Sequence, residues 1–146
     1  EGQPVLVLDT DHLVEFDRGS DAGEILRQRL DSADEEITPT ILSAEEQFRG
    51  WLAQIHRIRD QHQQVVAYER LQRRIEFFAA WEVLPWTEKA ADILVDLRRQ
   101  GIRIGTMDLK IAAIVLSHRA TLLSRNLVDF SQVPGLSTED WTLPES

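Results

Sequence analysis

The sequence predicts an α/β fold: a three-layer α/β/α domain around a central, mainly parallel sheet of four or five strands. Three observations predict it. Short apolar runs such as Val5–Leu8 and Thr121–Ser124 have the composition of strands buried on both faces. Longer stretches with helical periodicity separate these runs. Strands that alternate with helices need crossover connections, which are right-handed and place helices on both faces of a parallel sheet. The 146 residues suit one domain, residues 1–146, with a core large enough to need no disulfide staple.

The elements follow in order. Val5–Leu8 is the first strand and ends at Asp9. A helix carrying Leu13, Val14 and Phe16 comes next and is broken at Gly19-Ser20-Asp21, where Asp21 can cap a second helix running through Leu30. Glu36–Thr40 is the weakest strand, because Pro39 has no N–H to donate to a ladder. Ser43 opens a helix through about Ile58, and a longer helix follows from about Gln63 to Trp81, with Leu71, Ile75 and Phe78 on its apolar face. The two form a hairpin. Val83–Trp86 reads as a short strand. Thr87 caps a helix that stops at Gly101, and Thr106 begins another that reaches about His118. Thr121–Ser124 is the fourth strand, and Trp141–Leu143 is expected as a fifth at the sheet edge.

Composition narrows the functional classes. The chain contains no cysteine, which excludes disulfides and thiolate metal sites and fits a cytoplasmic location. No apolar run is long enough to span a membrane, and no basic, apolar signal peptide opens the Glu1-Gly2 start, so no membrane association is expected. The net charge of -9 argues at first against a nucleic-acid partner. The distribution tempers this. Residues 1–46 hold 13 acids and three bases, whereas residues 47–129 hold nine acids and 13 bases, including Arg57, Arg59, Arg70, Arg73, Arg74, Arg98, Arg99 and Arg103. A cationic stretch beside an acidic pocket can hold phosphates if metal ions neutralise the pocket. Solvated helix faces explain any single one of these arginines equally well.

Three acids stand where chemistry is expected. In parallel sheets, sites lie outside the carboxyl ends of the strands at the switch point of the topology. Asp9 directly follows the first strand there. Glu46 and Asp108 each open a helix. Each acid also has a local explanation. Asp9 can cap a helix, Ser43-Ala-Glu-Glu46 fits a capping box, and Asp108 suits the positive end of a helix dipole. The functional reading rests on their convergence, since carboxylates sharing a pocket repel one another and call for a cation. Hard oxygen ligands select Mg²⁺, with Mn²⁺ able to substitute. The hydroxyls of Thr10, Thr106 and Ser124 read first as caps. His12 lies near the site by sequence without an evident partner, His56 and His62 read as surface residues, and Trp51, Trp81, Trp86 and Trp141 read as core.

The motifs resemble a known family. Leu8-Asp-Thr-Asp-His-Leu13, Glu46-Gln-Phe-Arg-Gly50, Ile104-Gly-Thr-Met-Asp-Leu109 with Ala112-Ala113, Leu123-Ser-Arg-Asn126, and Asp129-Phe130 before Val133-Pro-Gly-Leu136 occur in the order found in PIN domains, most like VapC-type toxins. The resemblance spans roughly residues 5–143. It implies a metal-dependent endoribonuclease that hydrolyses RNA phosphodiesters with metal-activated water. It makes Asp9 and Asp108 the direct Mg²⁺ ligands, with Glu46 completing the metal site directly or through water. The family often has a fourth acid after the last core strand. Here Asn126 stands there with Asp129 three residues on, and Asp11 is a further contender. The resemblance also implies a cognate antitoxin protein, RNA as substrate and a homodimer; the hairpin between Ser43 and Trp81 is the candidate interaction surface, because it extends beyond what the sheet needs for cover. The competing readings are an inactive PIN-like module that binds RNA or protein, and a phosphatase-like or DNA-directed nuclease using the same metal chemistry.

Overall fold

The structure, a computed structural model, describes residues 5–145. Four short strands form one wholly parallel sheet in the order β2-β1-β3-β4, with β1 at Val5–Leu8, β2 at Glu36–Thr38, β3 at Thr121–Leu123 and β4 at Ser137–Glu139. In register, Val7 sits opposite Thr38 on one side and Leu122 on the other. The chain leaves β1 for β2 in one direction and returns for β3 in the other. The switch point therefore lies between β1 and β3, at the carboxyl ends of both.

Helices cover the two faces as the alternating pleat demands. Val7 and Leu122 point to one face and meet α5 (Glu88–Arg99) and α6 (Thr106–His118). Leu6, Leu8 and Leu123 point to the other and meet α1 (Thr10–Asp17), α2 (Asp21–Ser32), α3 (Ile41–Arg57) and α4 (Gln61–Ala79). A short α7 (Leu127–Phe130) buries Phe130 in the first of these layers. Helix α6 is buried almost all round, from Leu109 through Ile111–Val115. A helix apolar on every side belongs in an interior.

Several element boundaries depart from the sequence reading. Helix α3 begins two residues before Ser43, with Thr40 as its N-cap accepting from the Ser43 N–H. Ser20, not Asp21, caps α2 through the Gly23 N–H. Val83–Trp86 is not a strand, because only Leu84 bridges to Thr40 before Pro85 intervenes. The last strand lies at Ser137–Glu139, and Trp141–Leu143 forms a turn beyond it. That turn is fixed by Arg29, which donates to the Leu143 carbonyl at 2.8 Å and stacks its guanidinium over the Trp141 ring. On α4, Phe78 is buried as expected, but Ile75 is half exposed. Trp86 is also exposed, with the Lys110 ammonium beside its ring, so it does not belong to the core. Among the described residues no helix is long and apolar enough to cross a membrane.

Candidate active site

The site forms where β1 and β3 end. Asp9 leaves β1 in extended conformation and caps α1, accepting the Thr10 N–H at 2.8 Å. Its own N–H donates to the Leu123 carbonyl, so it continues the ladder one step past the strand. Its second oxygen accepts the Ser124 hydroxyl at 2.7 Å. Asp9 is buried. Burial first, then the neighbouring Asp11 and Asp108 charges, push its pKa up to about 7, against the lowering effect of the Ser124 and Thr10 hydrogen bonds.

Glu46 reaches the site from α3. Because that helix starts at Ile41, Ser43 lies within its first turn, and the capping-box reading of Ser43 and Glu46 does not hold. Glu46 Oε1 instead accepts the Thr10 hydroxyl at 2.7 Å, and the Ser43 hydroxyl stands 3.1 Å from the same Thr10 oxygen. The adjacent Glu45 is exposed and pairs with Arg49. The hundred-degree step between neighbouring helical residues thus selects Glu46.

Asp108 lies in the first turn of α6, beyond an N-cap glycine that has no side chain to offer. Its pKa is raised, by burial first and then by the charges of Glu46, Asp129 and Asp11. Asn126 joins the cluster as a donor. Its amide nitrogen donates to Asp129 Oδ2 at 3.0 Å and to Asp108 Oδ2 at 3.3 Å. Asp11 completes the ring from the side of α1, accepting the Arg125 N–H at 3.0 Å and standing 3.3 Å from the Ser124 hydroxyl. Asp9, Glu46, Asp108, Asn126 and Asp129 therefore converge, and Asp11 converges with them.

Two hydroxyls and one ring have larger roles than their local spacing indicates. Thr10 and Ser124 are not mere caps, since each holds a carboxylate of the cluster. His12 has partners on both nitrogens, Asp11 Oδ1 at 2.8 Å and the Trp141 N–H at 3.1 Å. Residues distant in sequence supply Trp141, so no local spacing announces it. Arg125 turns its guanidinium toward Glu15 at 3.6 Å rather than into the cluster. A cavity of about 450 Å³ opens beside Glu46 and is lined by Arg18, Trp51 and Arg74. Of the eight arginines singled out in the sequence, Arg74 reaches it, paired there with Asp17.

The oxygen-only donor set fits a hard cation. Among the described residues no three His, Cys, Asp or Glu side chains close round one point as a ready-made cage. Mg²⁺ needs no such cage, because it keeps several waters and takes one or two carboxylates directly. The raised pKa values of Asp9 and Asp108 mark a site where ionised carboxylates lack compensation, which a cation would provide.

Known proteins resemble the chain in sequence and in fold. The chain is 28% identical over 78 residues to a protein named Ribonuclease VapC2 from Rickettsia felis, covering 50% of this chain and 58% of the relative. It is 33% identical over 69 residues to the tRNA(fMet)-specific endonuclease VapC of Salmonella typhimurium, covering 44% of this chain and 52% of the relative. The chain thus spans little more than half the length of these curated relatives. The solved structure of VapBC-1 from nontypeable Haemophilus influenzae superposes with a TM-score of 0.68 at 23% identity, over 95% of this chain and 99% of that one. At that identity the likeness establishes the fold alone. The model of the PIN domain matches residues 6–136, a stretch that holds every acid of the cluster, and on that match the chain belongs to the PIN-domain family, its similarity lying with VapC-type toxins.

Proposed function

We propose that the chain is a Mg²⁺-dependent endoribonuclease acting as the toxin of a type II toxin–antitoxin pair. The observation that carries this reading is the convergence of Asp9, Glu46, Asp108 and Asp129 at the carboxyl ends of β1 and β3, with Asp9 buried and its pKa raised to about 7. A bound Mg²⁺ would supply Lewis-acid stabilisation of the phosphodiester and lower the pKa of water. Asp9 and Asp108 would hold the ion. Glu46, oriented by Thr10, would complete its surroundings. Asn126 keeps Asp108 and Asp129 from turning away, and it adds no charge of its own. Ser124 fixes the face that Asp9 presents. The cavity beside Glu46, with Arg18 and Arg74 on its wall, offers a path for an RNA backbone.

The names of the curated relatives, a ribonuclease and a tRNA(fMet)-specific endonuclease, support RNA as substrate. The likeness in fold to VapBC-1 and to a member of the VapBC family of toxin–antitoxin systems supports a cognate antitoxin. Leu52, Val65, Val66, Tyr68 and Ile75 on the α3–α4 hairpin are exposed, which supports that hairpin as an interaction face and a homodimer in solution. Sizing the purified protein tests the dimer, and a monomer at high concentration rejects it.

The test of the activity is cleavage of a panel of tRNA, rRNA fragments, mRNA and single-stranded DNA with Mg²⁺ or Mn²⁺. Asp9→Asn and Asp108→Asn are each expected to abolish cutting, as is excess chelator. Full activity in either variant, or in chelator, rejects the mechanism. The second reading, an inactive module that binds RNA or protein, draws on Asn126 at the fourth acidic position and on the open arrangement of the carboxylates. Absence of Mn²⁺ binding in calorimetry would favour it.

A further inference from the structure

The ring of His12 is fully buried and takes no part in the chemistry set out above. Its environment determines its tautomer. The Trp141 backbone N–H points at Nε2 from 3.1 Å. A nitrogen that accepts a hydrogen bond carries no proton, so the single ring proton of the neutral imidazole sits on Nδ1. Nδ1–H then donates to Asp11 Oδ1 at 2.8 Å. Asp140 also faces Nε2, at 3.7 Å, but its carboxylate accepts the Thr142 N–H and hydroxyl and so has partners of its own.

The chain of contacts continues inward. With Oδ1 held by His12, Asp11 accepts the Arg125 N–H at Oδ2, at 3.0 Å, and so holds the backbone next to Ser124. The Ser124 hydroxyl accepts the Asn126 N–H, and its one proton goes to Asp9 Oδ2 at 2.7 Å, nearer than Asp11 Oδ2 at 3.3 Å. Outward, Trp141 is held by Arg29 of α2, which stacks on its ring and donates to the Asp140 and Leu143 carbonyls on either side. Directed contacts, with the peptide between Ser124 and Arg125 as one link, thus join α2 to the acid at the end of β1.

We propose that His12 is a positioning residue: clasped by the Trp141 N–H, it orients Asp11, and through the Arg125 N–H that Asp11 accepts it holds in place Ser124, whose hydroxyl fixes the carboxylate of Asp9. This rests on the nuclease reading, because it assigns His12 to that same site. Groups that orient a metal-binding carboxylate from behind are typically worth 10–100-fold in metal affinity or activity.

The test compares His12→Leu with His12→Gln. Leucine fills much of the volume and supplies neither hydrogen bond. Glutamine carries a donor and an acceptor on one side chain. The expected result is that folded His12→Leu binds Mn²⁺ about 10- to 100-fold more weakly, or loses kcat to that extent, with KM for RNA little changed, and that His12→Gln recovers most of the loss. A separate reading uses the unaltered protein: the ¹⁵N spectrum of the His12 ring should show a protonated Nδ1 and a bare Nε2 at neutral pH. That measurement keeps the proposal falsifiable even if His12→Leu does not fold. The opposite tautomer overturns the proposal. So does a folded His12→Leu that matches the unaltered protein in Mn²⁺ affinity and kcat while the latter cuts RNA. If the unaltered protein neither binds Mn²⁺ nor cuts RNA, the nuclease reading falls, and this inference with it.

Discussion

At the scale of single residues, Asp9 concentrates the physics of the site. A carboxylate buried beside two others is stabilised in its protonated form, so the folded chain holds that proton more tightly than the unfolded chain does. Between roughly pH 4 and 7 the native state therefore binds more protons than the unfolded state, and stability falls as pH rises through that window. A shift to about 7 corresponds to a ceiling of roughly 4 kcal/mol at 1.36 kcal/mol per unit. In metal-free protein, Asp9→Asn should remove this slope and be the more stable chain above pH 7, by up to that amount. Urea titrations at pH 5 and pH 8 in chelator would show it, and parallel pH dependence in the two chains would contradict it. The acids themselves were legible in the sequence, because strand ends and helix starts are local patterns. The partners of those acids were not. Thr10 with Glu46, Ser124 with Asp9 and His12 with Trp141 join residues far apart in the chain, and spacing carries no signal for such pairs.

At the scale of elements, β1, β3 and α6 were readable because apolar composition and length point the same way. Helix α3 shows where that fails. Ser43 with Glu46 matches the local signature of a helix start, yet Ile41 and Leu42 already belong to the helix. The observed cap is Thr40, which bridges to Leu84, so a distant contact settles the boundary. The final strand was misplaced by a few residues for a related reason. Ser137–Glu139 is polar and lies at an edge, so pairing with β3 makes it a strand and no apolar pattern announces it. The α1–α2 junction offers a test. A Cβ built on Gly23 would lie 2.2 Å from the Glu15 carbonyl oxygen and 2.7 Å from that of Arg18, both backbone atoms that cannot swing aside. Alanine in place of glycine in a helix ordinarily gains up to about 1 kcal/mol. Here overpacking of about 1–3 kcal/mol should outweigh that gain. Gly23→Ala is thus expected to lower the urea midpoint, and a raised midpoint would refute the close approach.

At the scale of the whole molecule, the domain class and the three-layer arrangement followed from alternation alone. The all-parallel order β2-β1-β3-β4 required the structure. The proposed metal site also makes a prediction at this scale. A cation that binds only the folded chain stabilises it by about 2.7 kcal/mol at a hundred times its Kd. Thermal melts should therefore shift upward with Mg²⁺ or Mn²⁺ in the unaltered chain and remain unmoved in an Asp9→Asn, Asp108→Asn double variant. An equal shift in both chains would place the ion elsewhere.

The strand order has one more consequence. Because β3 lies beside β1 while more than a hundred residues separate them in the chain, the cluster draws its members from segments far apart in sequence. A nascent chain still short of β3 on the ribosome holds Asp9 and Glu46 but lacks Ser124, which fixes Asp9, and the Asn126 and Asp129 beyond it. A proteolytic fragment from either half is in the same position. The proposed site therefore comes into being only after both halves of the domain are made, and a cut that parts the two halves takes the pocket apart without touching a single acid.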